Sequence, residues 1–102
     1  MRIVKPARVR EFATAHPDAA PALHAWLKSA RNADWRSIRD VRATYRHADA
    51  VAVKSGRTVT VFNVCGNKYR LIVAIHYNWS MVYVLRFLTH AEYDKDFWRE
   101  QL

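Results

Sequence analysis

The spacing of apolar residues changes from helical to alternating near the middle of the chain. Leu23, Trp26, Leu27 and Ala30 fall at i, i+3, i+4 and i+7, which is one face of a helix. Asp18 is placed to cap that helix, and Pro21 is tolerated in its first turn. Upstream, Arg2 to Lys5 reads as a short extended start. Pro6 then opens a helix running to about Ala15, with Val9, Phe12 and Ala13 inward. His16-Pro17 ends it, because a residue before proline is pushed out of the helical region. A third helix is predicted from Trp35 to about Tyr45, with Trp35, Ile38, Val41 and Tyr45 as its apolar stripe.

Beyond Ala50 the pattern is that of strands. Ala50 to Lys54 and Thr58 to Val64 flank Ser55-Gly56, a plausible turn pair, and Cys65-Gly66-Asn67 is a second turn signal. Tyr69 to Tyr77 and Met81 to Thr89 flank Asn78-Trp79-Ser80 and are rich in Val, Ile, Tyr and Phe. Short links between consecutive strands predict an antiparallel meander. The last two strands are apolar at odd and even positions, so one face lies under the helices and the other is at least partly covered. From Ala91 helical spacing returns, with Phe97 one turn beyond Tyr93. The expected fold class is α+β: N-terminal helices packed on a small antiparallel sheet with a short C-terminal helix. At 102 residues this is a single domain spanning 1–102.

Composition narrows the class of partner. The apolar share is 51%, enough for a packed core, and no apolar run approaches the length of a membrane span. MRIVKPARVREF lacks the apolar region of a secretory signal, and a lone Cys65 fits a reducing compartment, so a cytoplasmic protein is expected. One cysteine also excludes an internal disulfide framework and a multi-cysteine zinc site. Lys and Arg number 17 against 9 Asp and Glu, a net charge of +8. That balance favours a polyanionic partner, although basic side chains also serve merely to solubilise a surface or to dock an acidic protein. The densest run holds Arg36, Arg39, Arg42 and Arg46, which on a helix form a basic stripe beside the apolar one.

With Gly56 and Gly66 the only glycines, no phosphate loop exists, and His76 and His90 have no partner at metal-ligand spacing. The notable cluster is Asn67, Lys68, Arg70, Arg86, His90, Glu92, Tyr93, Asp94 and Lys95, at strand ends beside a rigid support. Arg70 stands at the mouth of an apolar strand. It pairs with Glu92 or Asp94, faces solvent, or clamps a phosphate with its planar fork. Thr89 and Glu92 have the spacing of a capping box. His90 can move a proton near neutral pH, and Tyr93 can do so if neighbouring cations lower its pKa. Arg86 poses a question of register. If Trp79 centres the last hairpin, Arg86 opposes Ile72 and shares a face with Arg70. A two-residue loop sends it to the other face. Trp79 is either an exposed stacking platform for a base or a cover for the core. His16, His24 and His47 read as solvated surface residues.

The stretches VFNVCGNKYRLIVAIHYN and VYVLRFLTHAEYDKDFW resemble the HigB toxin family of RelE-like ribonucleases, from about Thr58 to Trp98 and more weakly around Asp34-Trp35 and Asp40-Val41-Arg42. The resemblance implies a compact RelE-like fold and a metal-free, cofactor-free endoribonuclease that cuts translated mRNA in the ribosomal A site. It also implies neutralisation by a HigA-type helix-turn-helix antitoxin. By position, Arg70 matches the arginine near the scissile phosphate, and His90 and Tyr93 match the polar pair that serves catalysis. Lys68 and Asn67 would line the same cleft. Arg70 with help from Lys68 would stabilise the phosphorane. Asn67, Arg86 and Lys95 would contact RNA, and Arg36, Arg39, Arg42 and Arg46 would form a rail for ribosomal RNA. Two departures stand out. Many relatives have glycine at Cys65, and they usually read YIR where this chain reads Tyr83-Val84-Leu85-Arg86. One added place on a strand turns the arginine away unless a bulge corrects it. Asn78-Trp79-Ser80-Met81 also lacks the basic hairpin tip common in relatives. Other readings of the same residues are a non-catalytic nucleic-acid or protein-interaction module and an impaired homologue acting as co-repressor with its antitoxin.

Overall fold

The computed structural model describes residues 1–102. Its elements are β1 (Arg2–Val4), α1 (Ala7–Ala15), α2 (Ala20–Asn32), α3 (Ile38–Thr44), β2 (Asp49–Ala52), β3 (Thr58–Val64), β4 (Tyr69–His76), β5 (Met81–Thr89), α4 (His90–Asp94) and α5 (Phe97–Gln101). No helix is long and apolar enough to cross a membrane.

The helical half follows its apolar spacing, with two local corrections. Val9 and Ala13 of α1 and Leu23, Trp26, Leu27 and Ala30 of α2 are all buried. Asp18 does not cap α2. It sits inside a 3₁₀ turn, Pro17–Ala19, and α2 begins after Ala19 in helical geometry, so the extended backbone that a cap requires is absent. Its carboxylate instead accepts from Tyr69 Oη at 2.9 and 3.1 Å and from the Lys68 ammonium. The third helix is shorter than the predicted Trp35–Tyr45. Asp40 turns back to accept the Arg36 backbone N–H at 2.9 Å, and α3 starts only at Ile38. Trp35 is still buried, stacked on Phe62 with centroids 6.1 Å apart.

The sheet has five strands in the order β1-β5-β4-β3-β2. Strands β2 to β5 form the expected meander. The sheet is nevertheless mixed, because β1 runs parallel to β5, with Arg2 beside Met81 and Val4 beside Tyr83. The chain between these strands supplies the long crossover that a parallel pair needs. The N-terminal ammonium donates to Ala33 O at 2.6 Å and Arg31 O at 3.2 Å, at the negative end of α2.

Two cores explain why the late strands are apolar on both faces. Leu71, Val73, Val82, Val84 and Phe87 meet the helices in the larger one. On the opposite face Val53, Val59, Val61 and Ile72 are covered by Trp98. The C-terminal segment is two short helices rather than one. Asp96, at φ 61, breaks it, so Phe97 points outward and Trp98 takes the buried place. His16 is likewise not a free surface group, since its ring packs against Tyr69 and Phe87 at 5.0 and 5.3 Å.

Candidate active site

The site begins at the turn between β3 and β4. Cys65 at φ 54 and Gly66 at φ 65 are both left-handed, the conformation favoured by a tight hairpin and one that glycine adopts without strain. This is the physical reason a glycine suits position 65. The turn closes with Lys68 N–H donating to Cys65 O at 3.2 Å. Lys68 O then accepts the His90 N–H at 3.0 Å, which fixes the start of α4 against the turn. Thr89 and Glu92 complete the capping box that the sequence predicted: Thr89 N–H donates to Glu92 Oε1 at 2.9 Å and Glu92 N–H to Thr89 Oγ1 at 3.2 Å.

Arg70 is 8% exposed. Its Nη1 donates to Asn67 O at 3.2 Å and Tyr69 O at 3.1 Å, and its Nη2 to Asn67 Oδ1 at 3.5 Å. It takes part in no ion pair: Glu92 is occupied by the cap, and Asp94 Oδ2 faces His90 Nδ1 at 3.4 Å. A guanidinium this deep ordinarily has a carboxylate. Here it is held by carbonyl and amide dipoles, and Nε–H has no partner within the chain yet is not sealed from solvent. The guanidinium carbon lies 5.6 Å from the centroid of the Tyr93 ring. Tyr93 in turn stacks on Trp98, centroids 5.1 Å apart and planes 18° from parallel, and Trp98 Nε1 donates to Tyr93 O at 3.0 Å.

The register of Arg86 is settled by a bulge. Near the hairpin tip His76 pairs with Met81 and Val73 with Val84, but Ile72 pairs with Arg86 and Arg70 with Leu88. Leu85 is the extra residue, and it returns Arg86 to the face of Arg70. Arg8 of α1 supports the bulge by donating Nη1 to Val84 O and Leu85 O at 3.1 Å each. Arg86 Nη1 bonds its neighbour Leu85 O at 2.9 Å.

Thus Arg70, Asn67, Tyr93, His90 and Arg86 occupy one corner of the sheet. Other candidates lie apart. The Lys68 ammonium crosses to Asp18 and over the Tyr69 ring, toward the helix-covered face. Lys95 borders a hollow between Glu92 and Trp98. The four arginines do not form one helical stripe. Arg36 precedes α3 and meets Asp34 at 3.4 Å, Arg42 bonds Ala48 O at 3.0 Å and meets Asp49 at 3.4 Å, and Arg46 lies beyond the helix. Arg39 remains on α3. Two contributors were missed in the sequence. Asn63 faces Arg70 across β3 and β4, and applying the turn's pairing to the FN dipeptide would have found it. Arg8 had no signal, because its partners lie more than seventy residues away.

Burial raises the Tyr93 phenol above its ordinary 10.0 and outweighs Arg99 and Arg70, which pull it down. The expected lowering by cations is therefore reversed, and the phenol keeps its proton at neutral pH. Asp18 is held below its ordinary 3.8 by Lys68 and then the Tyr69 hydroxyl, and Glu92 below 4.5 by the Thr89 backbone N–H. Both groups bind protons less readily folded than unfolded. Their stabilisation is complete above the unfolded values and is lost as pH falls through the lower folded ones. The urea midpoint should hold down to about pH 5 and decline below it, with Asp18→Asn removing part of that decline.

A family model of the RelE-like toxic component of a toxin-antitoxin system, HigB_toxin, matches residues 19–96. The chain belongs to the HigB toxin family. The mRNA interferase HigB of Escherichia coli O6:H1 (strain CFT073) is 28% identical over 95 residues, covering 93% of this chain and 90% of that protein. The matched span of this HigB-family chain runs from the 3₁₀ turn before α2 to the end of α4, so it includes every residue gathered around Arg70.

Proposed function

We propose that this HigB-family toxin is a metal-independent endoribonuclease that cuts mRNA during translation in the ribosomal A site, and that a HigA-type helix-turn-helix antitoxin neutralises it. The observation that carries the reading is the buried Arg70 guanidinium, which has no carboxylate and still has a free donor, against the Tyr93 phenol and next to the turn on which the His90 backbone is fixed. The name of the Escherichia coli relative supports the same activity.

RNA carries its own nucleophile. The 2′-oxygen attacks phosphorus as its proton passes to an imidazole. The bond to the 5′-oxygen breaks, and that oxygen takes a proton from a phenol. The products are a 2′,3′-cyclic phosphate and a 5′-hydroxyl. Arg70 supplies positive charge where the phosphorane develops, with Arg86 beside it. Asp94 at Nδ1 orients His90 and leaves Nε2 for the 2′-proton. Burial keeps the Tyr93 phenol protonated, so it has a proton to give to the 5′-oxygen. Lys68 assists only if its pair with Asp18 opens, and the unpaired arginines Arg39 and Arg46 supply salt-dependent attraction to ribosomal RNA. The bulge, which brings Arg86 back to the face of Arg70, supports the active reading over that of an impaired homologue.

Inducing the chain alone and together with its neighbouring antitoxin gene, while mapping the 5′ ends of transcripts, tests this. Cleavage within translated regions, suppressed by the partner, is expected. Growth arrest without new 5′ ends would overturn it.

A further inference from the structure

Beside Arg70 two hollows meet along the junction of α3, β2 and the turn after β3. One, of about 270 Å³, is bounded by Arg46, His47 and Asn63 among others. The second, of about 400 Å³, is bounded by His47, Asn63, Gly66 and Asn67 and has no apolar lining residue. His47 and Asn63 border both, so the two form one trough. Asn67 is the same residue whose carbonyl and side-chain amide hold the Arg70 guanidinium, and Asn63 is the partner of Arg70 across the strands. The trough therefore opens onto the phosphate position assigned above.

We infer that the trough is a binding site for the single-stranded RNA adjoining the scissile phosphate, with Arg46, His47 and Asn63 as its contacts. The inference rests on Arg70 being the phosphate contact. Three observations carry it. No carboxylate lines either hollow. Asp49, which follows Ala48 in the chain, and Asp18, which meets Lys68 beside the turn, are already occupied by Arg42 and by Lys68 and Tyr69. Arg46 and His47 are exposed and make no side-chain hydrogen bond or ion pair within the chain.

The third observation is Asn63 itself. It interrupts an otherwise buried run, Val59 to Val64, at a half-buried position, and its amide bonds no group of the chain while still reaching solvent. Asparagine is among the residues depleted in strands. In the free chain only water satisfies it, so a ligand that pairs with it displaces solvent and breaks no bond within the protein. A base edge or a ribose hydroxyl presents the donors and acceptors to do so, and the neighbouring imidazole and guanidinium suit the backbone phosphates.

The test is a low-salt NMR titration of the full chain with an eight-nucleotide, 2′-O-methylated RNA, which binds but cannot be cut. The side-chain signals of His47, Asn63 and Asn67 should shift together, ahead of the Trp79 indole at the far end of the sheet. Arg46→Ala/His47→Ala alters two exposed side chains and should weaken binding roughly ten-fold. Asn63→Thr keeps a strand-compatible residue and should weaken it about three-fold or more. Shifts confined to α3 or to the Trp79 hairpin, unchanged affinity in both variants, or no shift at saturating RNA would overturn the site. Cleavage is scored separately. Trough signals that shift with RNA in a chain that cuts no transcripts would refute the nuclease reading and leave the trough standing. Normal cleavage by both variants with no trough shifts would remove the trough alone.

Discussion

Arg70→Ala is expected to lower RNA cleavage by about 10²–10³ while the protein remains folded. The magnitude is that of removing one preorganised donor aimed at charge which develops only in the transition state. The fold should survive because Arg70 holds no carboxylate. Its loss frees Asn67 O, Asn67 Oδ1 and Tyr69 O and removes the contact over the Tyr93 ring, and none of these is an ion pair. Arg70→Lys keeps a charge but loses the planar fork and its fit over the Tyr93 ring, so it should recover little activity. Single-turnover cleavage of a programmed ribosome, with circular dichroism on the same samples, separates loss of chemistry from loss of fold.

Trp98→Ala should cost about 3–5 kcal/mol, the range for emptying a buried aromatic position. Trp98 is 3% exposed and closes the small core over Val53, Val59, Val61 and Ile72. It also carries the stacking contact and the Nε1 hydrogen bond that fix Tyr93. A domain of this size has roughly 5–15 kcal/mol in total, so the variant should be close to unfolding at growth temperature. The adjacent Phe97, at 69% exposure, is the control: Phe97→Ala should change the urea midpoint by no more than about 0.5 kcal/mol in stability. Comparable losses in the two variants would refute the assignment of Trp98 as the anchor of the site's C-terminal wall.

The strands were legible where β-branched and aromatic residues were bounded by turn residues, and Thr58–Val64 and Met81–Thr89 fall where the pattern placed them. The faces of α1 and α2 were legible for the same reason, as was the Thr89–Glu92 capping box. What was not legible depended on contacts distant in sequence. The parallel β1 pairs across nearly the whole chain, and a three-residue strand, Arg2–Val4, carries no sign of its partner. Asp18 was read locally as a cap, but Lys68 and Tyr69, fifty residues on, claim its carboxylate. The basic stripe assumed one helical period from Arg36 to Arg46, whereas the Asp40 carboxylate starts α3 two residues after Arg36. The bulge is the clearest case. The sequence allowed two registers for the last hairpin, and the structure uses both, one on each side of Leu85.

The central claim is that Arg70, His90 and Tyr93 act together on one phosphodiester through the 2′-hydroxyl of the RNA. The chemical nature of the new 5′ ends tests it most directly. Transcripts cut by the wild-type chain on programmed ribosomes should carry 5′-hydroxyl ends that accept phosphate from a polynucleotide kinase, and Arg70→Ala should yield almost none. New ends that already carry a 5′-phosphate, or undiminished 5′-hydroxyl ends from folded Arg70→Ala protein, would contradict the account.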